Sequence, residues 1–231
     1  MKLTCYGHSA LRFDIQGVTI LVDPFLSDNP LAQGVVSADT IQADVILLTH
    51  AHGDHWGDTV SIAQRTGALV VANFEITSYL QSKHSYDRVH SMNTGGSWDF
   101  PWGRVVQTYA RHSSSFPDGT YGGNPNGYLV YAEGRCLYAM GDTAPFAEMA
   151  WIGEEHDVDV AFMPVGDNYT MGPNDSRRVA RMVAPALTIP VHYNTFDPIR
   201  IDVEAWARRM DAAGFRTRIL NPGESFELDP A

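Results

Sequence analysis

The stretch Val45-Ile46-Leu47-Leu48-Thr49-His50-Ala51-His52-Gly53-Asp54-His55-Trp56-Gly57-Asp58 decides how this chain is read. Four apolar residues open it, the pattern of a strand covered on both faces, and His50, His52, Asp54 and His55 then fall within six positions. Side chains two apart in an extended segment point to one side, so His50 and His52 share a face. Gly53 lets the backbone turn before Asp54 and His55, and the turn can aim two donors at one ion and two at a neighbour. A lone histidine is more often a satisfied core or surface side chain than a ligand. Four ligand-type residues packed this closely behind a buried strand point instead to a metal site. Imidazole and carboxylate without thiolate suit zinc, manganese or iron, and paired ions roughly 3.5–4 Å apart are the usual arrangement for two-metal hydrolysis.

His50-x-His52-x-Asp54-His55 resembles the His-x-His-x-Asp-His motif of the metallo-β-lactamase fold hydrolases. Gly7-His8-Ser9, Leu21-Val22-Asp23-Pro24, Gly141-Asp142-Thr143 and Pro190-Val191-His192-Tyr193 extend the likeness to the small metal-dependent hydrolases of that superfamily, and more distantly to the ascorbate-6-phosphate lactonases. It runs from Lys2 to Asn221. The resemblance implies an α/β fold, an αββα sandwich of two mixed β-sheets face to face with helices outside. It assigns His50, His52 and His112 to a first metal, Asp54, His55 and His192 to a second, and Asp142 to a bridge between them. The cofactors so implied are two divalent ions, zinc first and manganese or iron as alternatives.

The order of the elements is compatible with that sandwich. Leu3, Cys5, Leu11, Phe13 and Ile15 alternate with polar or small residues, and Gln16-Gly17 separates them from Val18–Val22, so the opening reads as an antiparallel meander. Residues 26–40 carry turn formers without periodicity and read as a loop. Beyond the metal loop the pattern predicts a helix capped by Asp58-Thr59 and closed by Gly67, a strand over 68–72, a helix over 74–82, an aromatic-anchored turn over 98–102 and a strand over 104–110. An irregular stretch, 112–127, precedes a hairpin across Glu133-Gly134. Then come a helix over 145–151, a strand over 158–163, a loop over 164–175, a helix over 176–183, a strand over 186–191, a helix over 202–213 and a strand over 217–220. Gly17–Asp23 echoes Gly134–Asp142, and Ala43–Thr49 echoes Val158–Pro164, as two similar halves would.

Composition narrows the function. The 231 residues fit a single domain over 1–231, and 44% hydrophobic content supplies a large core. No apolar run reaches the ~20 residues of a membrane span and the N-terminus lacks a signal-type apolar region, so the expected location is cytoplasmic, with no membrane partner. Cys5 and Cys136 stand apart at no metal or redox spacing and read as buried thiols. Twenty-seven acidic against sixteen basic side chains leave a formal charge of −11 with no basic run, which disfavours nucleic acid. The expected partner is a small-molecule substrate; a homo-oligomer is compatible with the sequence.

Two divalent ions lower the pKa of a shared water toward ~7, and the resulting hydroxide can attack a carbonyl or phosphoryl centre. Asp54 would orient it and take the catalytic role, while the anionic Asp142 offsets repulsion between the ions. Asp23 could fix the tautomer of a ligand imidazole. His8 and Tyr193 are the candidate substrate-binding residues. Phe116 and Tyr121 on the 112–127 loop, with Tyr169 and Met171, suggest a lid over a small pocket. The reading is a metal-dependent hydrolase of a small ester, lactone or phosphodiester. The alternatives are a non-catalytic metal-binding or scaffold protein, and a nuclease of the same fold.

Overall fold

The computed structural model describes residues 1–231. The first half runs β1 (Lys2–Cys5), β2 (Leu11–Ile15), β3 (Val18–Val22), β4 (Val45–Leu47), α1 (Gly53–Trp56), α2 (Thr59–Thr66), β5 (Leu69–Asn73), α3 (Phe74–His84) and β6 (Val89–Met92). The second runs β7 (Ser97–Phe100), β8 (Gly103–Tyr109), β9 (Asn126–Ala132), β10 (Arg135–Ala139), α4 (Met149–Glu155), β11 (Val160–Pro164), α5 (Pro173–Val183), β12 (Leu187–Val191), α6 (Val203–Ala212) and β13 (Ser225–Glu227). Two mixed sheets result, ordered β13-β1-β2-β3-β4-β5-β6 and β12-β11-β10-β9-β8-β7.

Strand alternation sorts the side chains into three layers. Val45 and Leu47 face the core between the sheets, with Phe13, Ile20 and Val71 beside them and Val105, Tyr128, Leu137, Phe162 and Ile189 opposite. Ile46 and Leu48 face outward onto Ile62, Ile76 and Leu80 of α2 and α3. On the far side Leu129, Tyr138 and Ala161 pack against Met149, Val179 and Trp206 of α4, α5 and α6. Because both faces of each central strand are covered, β4 and β11 read as unbroken apolar runs. Each such side chain contributes on the order of 1.5–3 kcal/mol by leaving water.

The halves repeat one construction. The β2–β3 hairpin is followed by parallel β4 and β5, and the β9–β10 hairpin by parallel β11 and β12. The echo between Gly17–Asp23 and Gly134–Asp142 is thus a structural repeat.

Several elements differ from expectation. The aromatic turn at 98–102 is a strand, β7, paired with β8 across Pro101-Trp102. Residues 217–220 form no strand; Thr217 makes one isolated bridge to Thr188 of β12 at the edge of the second sheet, and β13 pairs with β1 at the edge of the first. Strand β6 also carries no alternation that would announce it. The helix expected over 145–151 begins at Met149, and α5 begins at Pro173, whose missing N–H costs nothing at a first helical position. Asp58 does not cap α2 with its side chain; its carboxylate accepts the Leu26 and Ser27 amides at 2.9 and 2.8 Å, tying the 26–40 loop to the metal loop.

No helix is long and apolar enough to cross a membrane. Cys5 and Cys136 are buried free thiols.

Candidate metal centre

Four strand ends meet at one edge of the sandwich. After β4 the chain delivers Thr49 and His50, and the short α1 then presents Asp54 and His55. His112 follows β8, Asp142 follows β10, and His192 follows β12. Asp142 reaches this edge through Gly141, whose φ is +63°; a Cβ there would lie 2.5 Å from the Asn126 carbonyl oxygen and 2.9 Å from Thr49 Cβ, so only glycine lets the chain pass.

All seven residues assigned by the resemblance are brought together. His52 Nδ1 lies 3.0 Å from His50 Nε2 and 3.3 Å from His112 Nε2. Asp142 sits in the middle. Its Oδ2 is 3.0 Å from His192 Nε2, 3.6 Å from His112 Nε2 and 4.0 Å from His50 Nε2, and its Oδ1 is 3.2 Å from His55 Nε2. Asp54 Oδ2 is 3.7 Å from His192 Nε2. The donor atoms fall into three overlapping groups: His50, His52 and His112; His50, His55 and Asp142; and His8, Asp54, His55 and His192.

An outer layer fixes the rings. Asp23, buried and in a left-handed backbone conformation, takes His55 Nδ1–H at 2.7 Å, the Thr49 amide at 2.8 Å and the Thr49 hydroxyl at 2.6 Å. Thr49 Oγ1 also lies 3.0 Å from His50 Nδ1. One buried carboxylate thereby holds two ligand-type histidines in register, the outer-shell arrangement found where imidazoles bind metal.

Charge is concentrated here. Burial disfavours the ionised form of Asp142, but His192 and His55 outweigh it and hold the carboxyl well below its usual range. Asp54 follows the same logic: burial opposes ionisation, and the adjacent His192 and His8 side chains more than reverse it. Burial pushes the His192 pKa down, yet Asp142 and Asp54 raise it to about 9. Burial, helped by the His192 and His55 charges, lowers His8 to about 4.

The residues fit divalent metal. His55 Nε2, Asp142 Oδ1 and His192 Nε2 are buried without an aligned hydrogen bond, although the first two atoms are 3.2 Å apart. Such atoms, close but not aimed at one another, are satisfied by a cation they share. An all-nitrogen-and-oxygen donor set suits zinc, manganese or iron.

The centre is open on one side. Asp54 keeps 30% of its side chain exposed and His112 13%, whereas His50, His55, Asp142 and His192 keep 3% or less. His8, expected to touch substrate, is buried, with Nδ1 2.8 Å from Thr195 Oγ1 and Nε2 3.1 Å from Asp54 Oδ2. Tyr193 is half-buried and lines a cavity of about 250 Å³ with His8, Leu31, Pro190 and Leu220. The aromatics of the 112–127 loop do not form the underside of a lid over the centre. Phe116 is buried, stacked 3.7 Å from Tyr79 and edge-on to Trp56, while Tyr121 points to solvent. Tyr169 is exposed and Met171 is buried in the core, so neither supplies a pocket wall as expected. Thr195 went unnoticed in the sequence; its only signal is its place three residues after His192.

Comparison with known proteins gives a consistent picture. A family model described as a beta-lactamase superfamily domain matches residues 2–192. A UPF0173 metal-dependent hydrolase of Salinibacter ruber is 45% identical over 228 residues, covering 99% of this chain and 100% of that protein. One from Thermus thermophilus is 46% identical, covering 96% and 97%. Among solved structures, Igni18, a metallo hydrolase from Ignicoccus hospitalis, superposes with a TM-score of 0.88 at 35% identity, covering 99% of both chains.

Proposed function

The chain belongs to the beta-lactamase superfamily, as a metal-dependent hydrolase, and from that premise we propose that it works with two divalent ions and hydrolyses a small ester, lactone or phosphodiester. The observation that carries this reading is Asp142, a buried carboxylate with imidazole nitrogens of four histidines within 4.0 Å and Oδ1 without an aligned partner. A carboxylate with an oxygen for each of two ions belongs in such a position. His50, His52 and His112 would hold one ion, and Asp54, His55 and His192 the other, with zinc first and manganese or iron as alternatives. Bound there, the ions would supply Lewis acidity to a carbonyl or phosphoryl oxygen and acidify a water toward neutral pH.

The chain's own residues supply the rest. Asp54 is the most exposed carboxylate of the centre and is kept ionised, so it can orient an incoming water and accept its proton. Asp142, buried and centrally placed, has no room for that exchange. Asp23 and Thr49 keep the His55 and His50 rings from rotating as charge develops. With a formal charge of −11, the chain is ill suited to a polynucleotide, and a small molecule reaching Asp54 from the open side is the favoured substrate.

Reconstituting metal-free protein with zinc, manganese or iron, then assaying lactones, carboxylic esters and phosphodiesters alongside elemental analysis, tests the proposal. The expected result is two ions per chain, turnover of at least one class, and an Asp54→Asn variant that is slower by more than ~100-fold when assayed at metal concentrations that fill both sites. Protein that never exceeds one ion per chain, or that holds two and turns over nothing in the panel, overturns it.

A further inference from the structure

Three of the centre's five histidines share a construction: one ring nitrogen meets the cluster, and the other meets an oxygen outside it. His50 uses Thr49 Oγ1 at 3.0 Å, His52 uses Ser113 Oγ at 3.4 Å, and His55 uses Asp23 at 2.7 Å. His8, which the motif does not include, is built the same way. Its Nδ1 is 2.8 Å from Thr195 Oγ1, and its Nε2 points into the cluster, 3.1 Å from Asp54 Oδ2. Its ring centroid is 4.1 Å from that of His192, the same separation as His50 to His55.

The backbone supports the comparison. His8 and His192 both adopt left-handed conformations, at φ 56° and 54°, and the His192 amide donates to the His8 carbonyl at 2.9 Å. Such a conformation is uncommon outside glycine and persists where its surroundings over-determine it. Two strained histidines, from opposite ends of the chain, are clasped to each other so that both inner nitrogens face Asp54.

Hydrogen placement then decides what His8 Nε2 offers. The Thr195 hydroxyl has its own acceptor in the Tyr193 carbonyl at 3.4 Å, which leaves its oxygen free to accept His8 Nδ1–H. In that tautomer Nε2 carries a lone pair facing the Asp54 carboxylate. Two acceptors 3.1 Å apart repel unless a cation lies between them, and donors about 2.1 Å from one ion are about 3 Å apart at a right angle.

We propose that His8 is an eighth metal-binding residue, its Nε2 a further donor on the Asp54, His55 and His192 side of the centre. This rests on the two-ion reading given above. That side then has five protein donors, His8, Asp54, His55, His192 and the shared Asp142, against four on the other. Five donors exceed the tetrahedral set zinc prefers in protein sites and suit an ion accepting five or six ligands, such as manganese or ferrous iron. The less crowded side, with His50, His52 and His112, is left to engage the substrate oxygen.

Cobalt(II) loaded into full-length metal-free protein reads the donor set directly. Imidazoles bound to cobalt show strongly shifted ring N–H resonances; the expected number is six, from His8, His50, His52, His55, His112 and His192, falling to five in His8→Asn, chosen because asparagine tolerates positive φ. The visible absorption of the cobalt on the Asp54 side should also intensify in that variant as its coordination number drops. Its affinity should fall by more than the ~10- to 100-fold that loss of an outer hydrogen bond brings. Two ions with only five shifted resonances in the wild-type protein, and an unchanged cobalt spectrum in His8→Asn, would show that His8 only hydrogen-bonds Asp54 and overturn the proposal. A wild-type protein that binds one ion overturns the two-ion reading as well, and stoichiometry separates the two failures. Should His8→Asn fail to fold, the wild-type resonance count decides alone.

Discussion

At the scale of single residues, the centre is a balance between protons and metal. Without metal, His192 takes a proton because Asp142 and Asp54 outweigh its burial, so the imidazolium neutralises charge a cation would otherwise offset. Its folded pKa of about 9 lies above the ordinary 6.5; the folded state holds the extra proton, and the associated stability is present below 6.5 and lost as pH rises toward 9. His8 has the opposite sign. Burial lowers it to about 4, so between 6.5 and 4 the unfolded chain binds the extra proton and stability falls with falling pH. Denaturant unfolding of metal-free protein from pH 4 to 9.5 should therefore show greatest stability near pH ~6.5, declining on both sides. A profile still rising between pH 7 and 9 would contradict the charge assignment of His192. The residues behind this balance were unevenly legible. His50, His52, Asp54 and His55 could be read because they are neighbours in sequence. His112, Asp142 and His192 are brought in by tertiary structure and were found only through the resemblance, and Thr195 belongs to no pattern at all.

At the scale of elements, the strands with both faces buried were legible because their apolar runs are continuous, and edge strands β6 and β13 were not because short half-exposed strands carry no periodicity. Loops were hardest. Asp58 looks like a helix cap in sequence, but two amides of the 26–40 loop occupy its carboxylate. The 112–127 loop looks like a lid, but its hydrogen bonds fold it onto the first half of the molecule: Asn73 Nδ2 donates to the Gly122 and Asn124 carbonyls, the Ala51 amide donates to Ser114 Oγ, and Tyr79 donates its hydroxyl to Asp118. Phe116 is the anchor of that packing, between Tyr79 and Trp56 of α1. Phe116→Ala should then destabilise the protein by about 3–5 kcal/mol, as removal of a buried aromatic does. Denaturant midpoints compared at constant slope measure this, and a loss under ~1 kcal/mol would mean the ring is not held by the core. Because Trp56 directly follows His55, the same variant should also loosen the metal loop.

At the scale of the whole molecule, the metal centre joins what the core has already joined. The inner layer takes Phe13, Ile20 and Leu47 from one sheet and Tyr128, Leu137 and Phe162 from the other, with Phe13 and Phe162 ring centroids 5.3 Å apart, so neither sheet keeps a buried face without its partner. Donor residues divide the same way. His50, His52, Asp54 and His55 come from the first half, and His112, Asp142 and His192 from the second. Ions at this edge would bind the folded pair of sheets and hardly bind the unfolded chain, where the donors are scattered from residue 50 to residue 192. Calorimetry of metal-free protein should accordingly show one unfolding transition over the full chain, and metal should move it without splitting it. With free metal at 100 times its dissociation constant, a single site adds about 2.7 kcal/mol. For a chain of this length each kcal/mol shifts the midpoint by about 2–4 °C, so one ion should raise it by about 5–11 °C and a second further. Two separate transitions in the metal-free protein, one per sheet, would show that the shared core does not couple the halves. A midpoint unmoved by saturating metal would show that the ions do not bridge them.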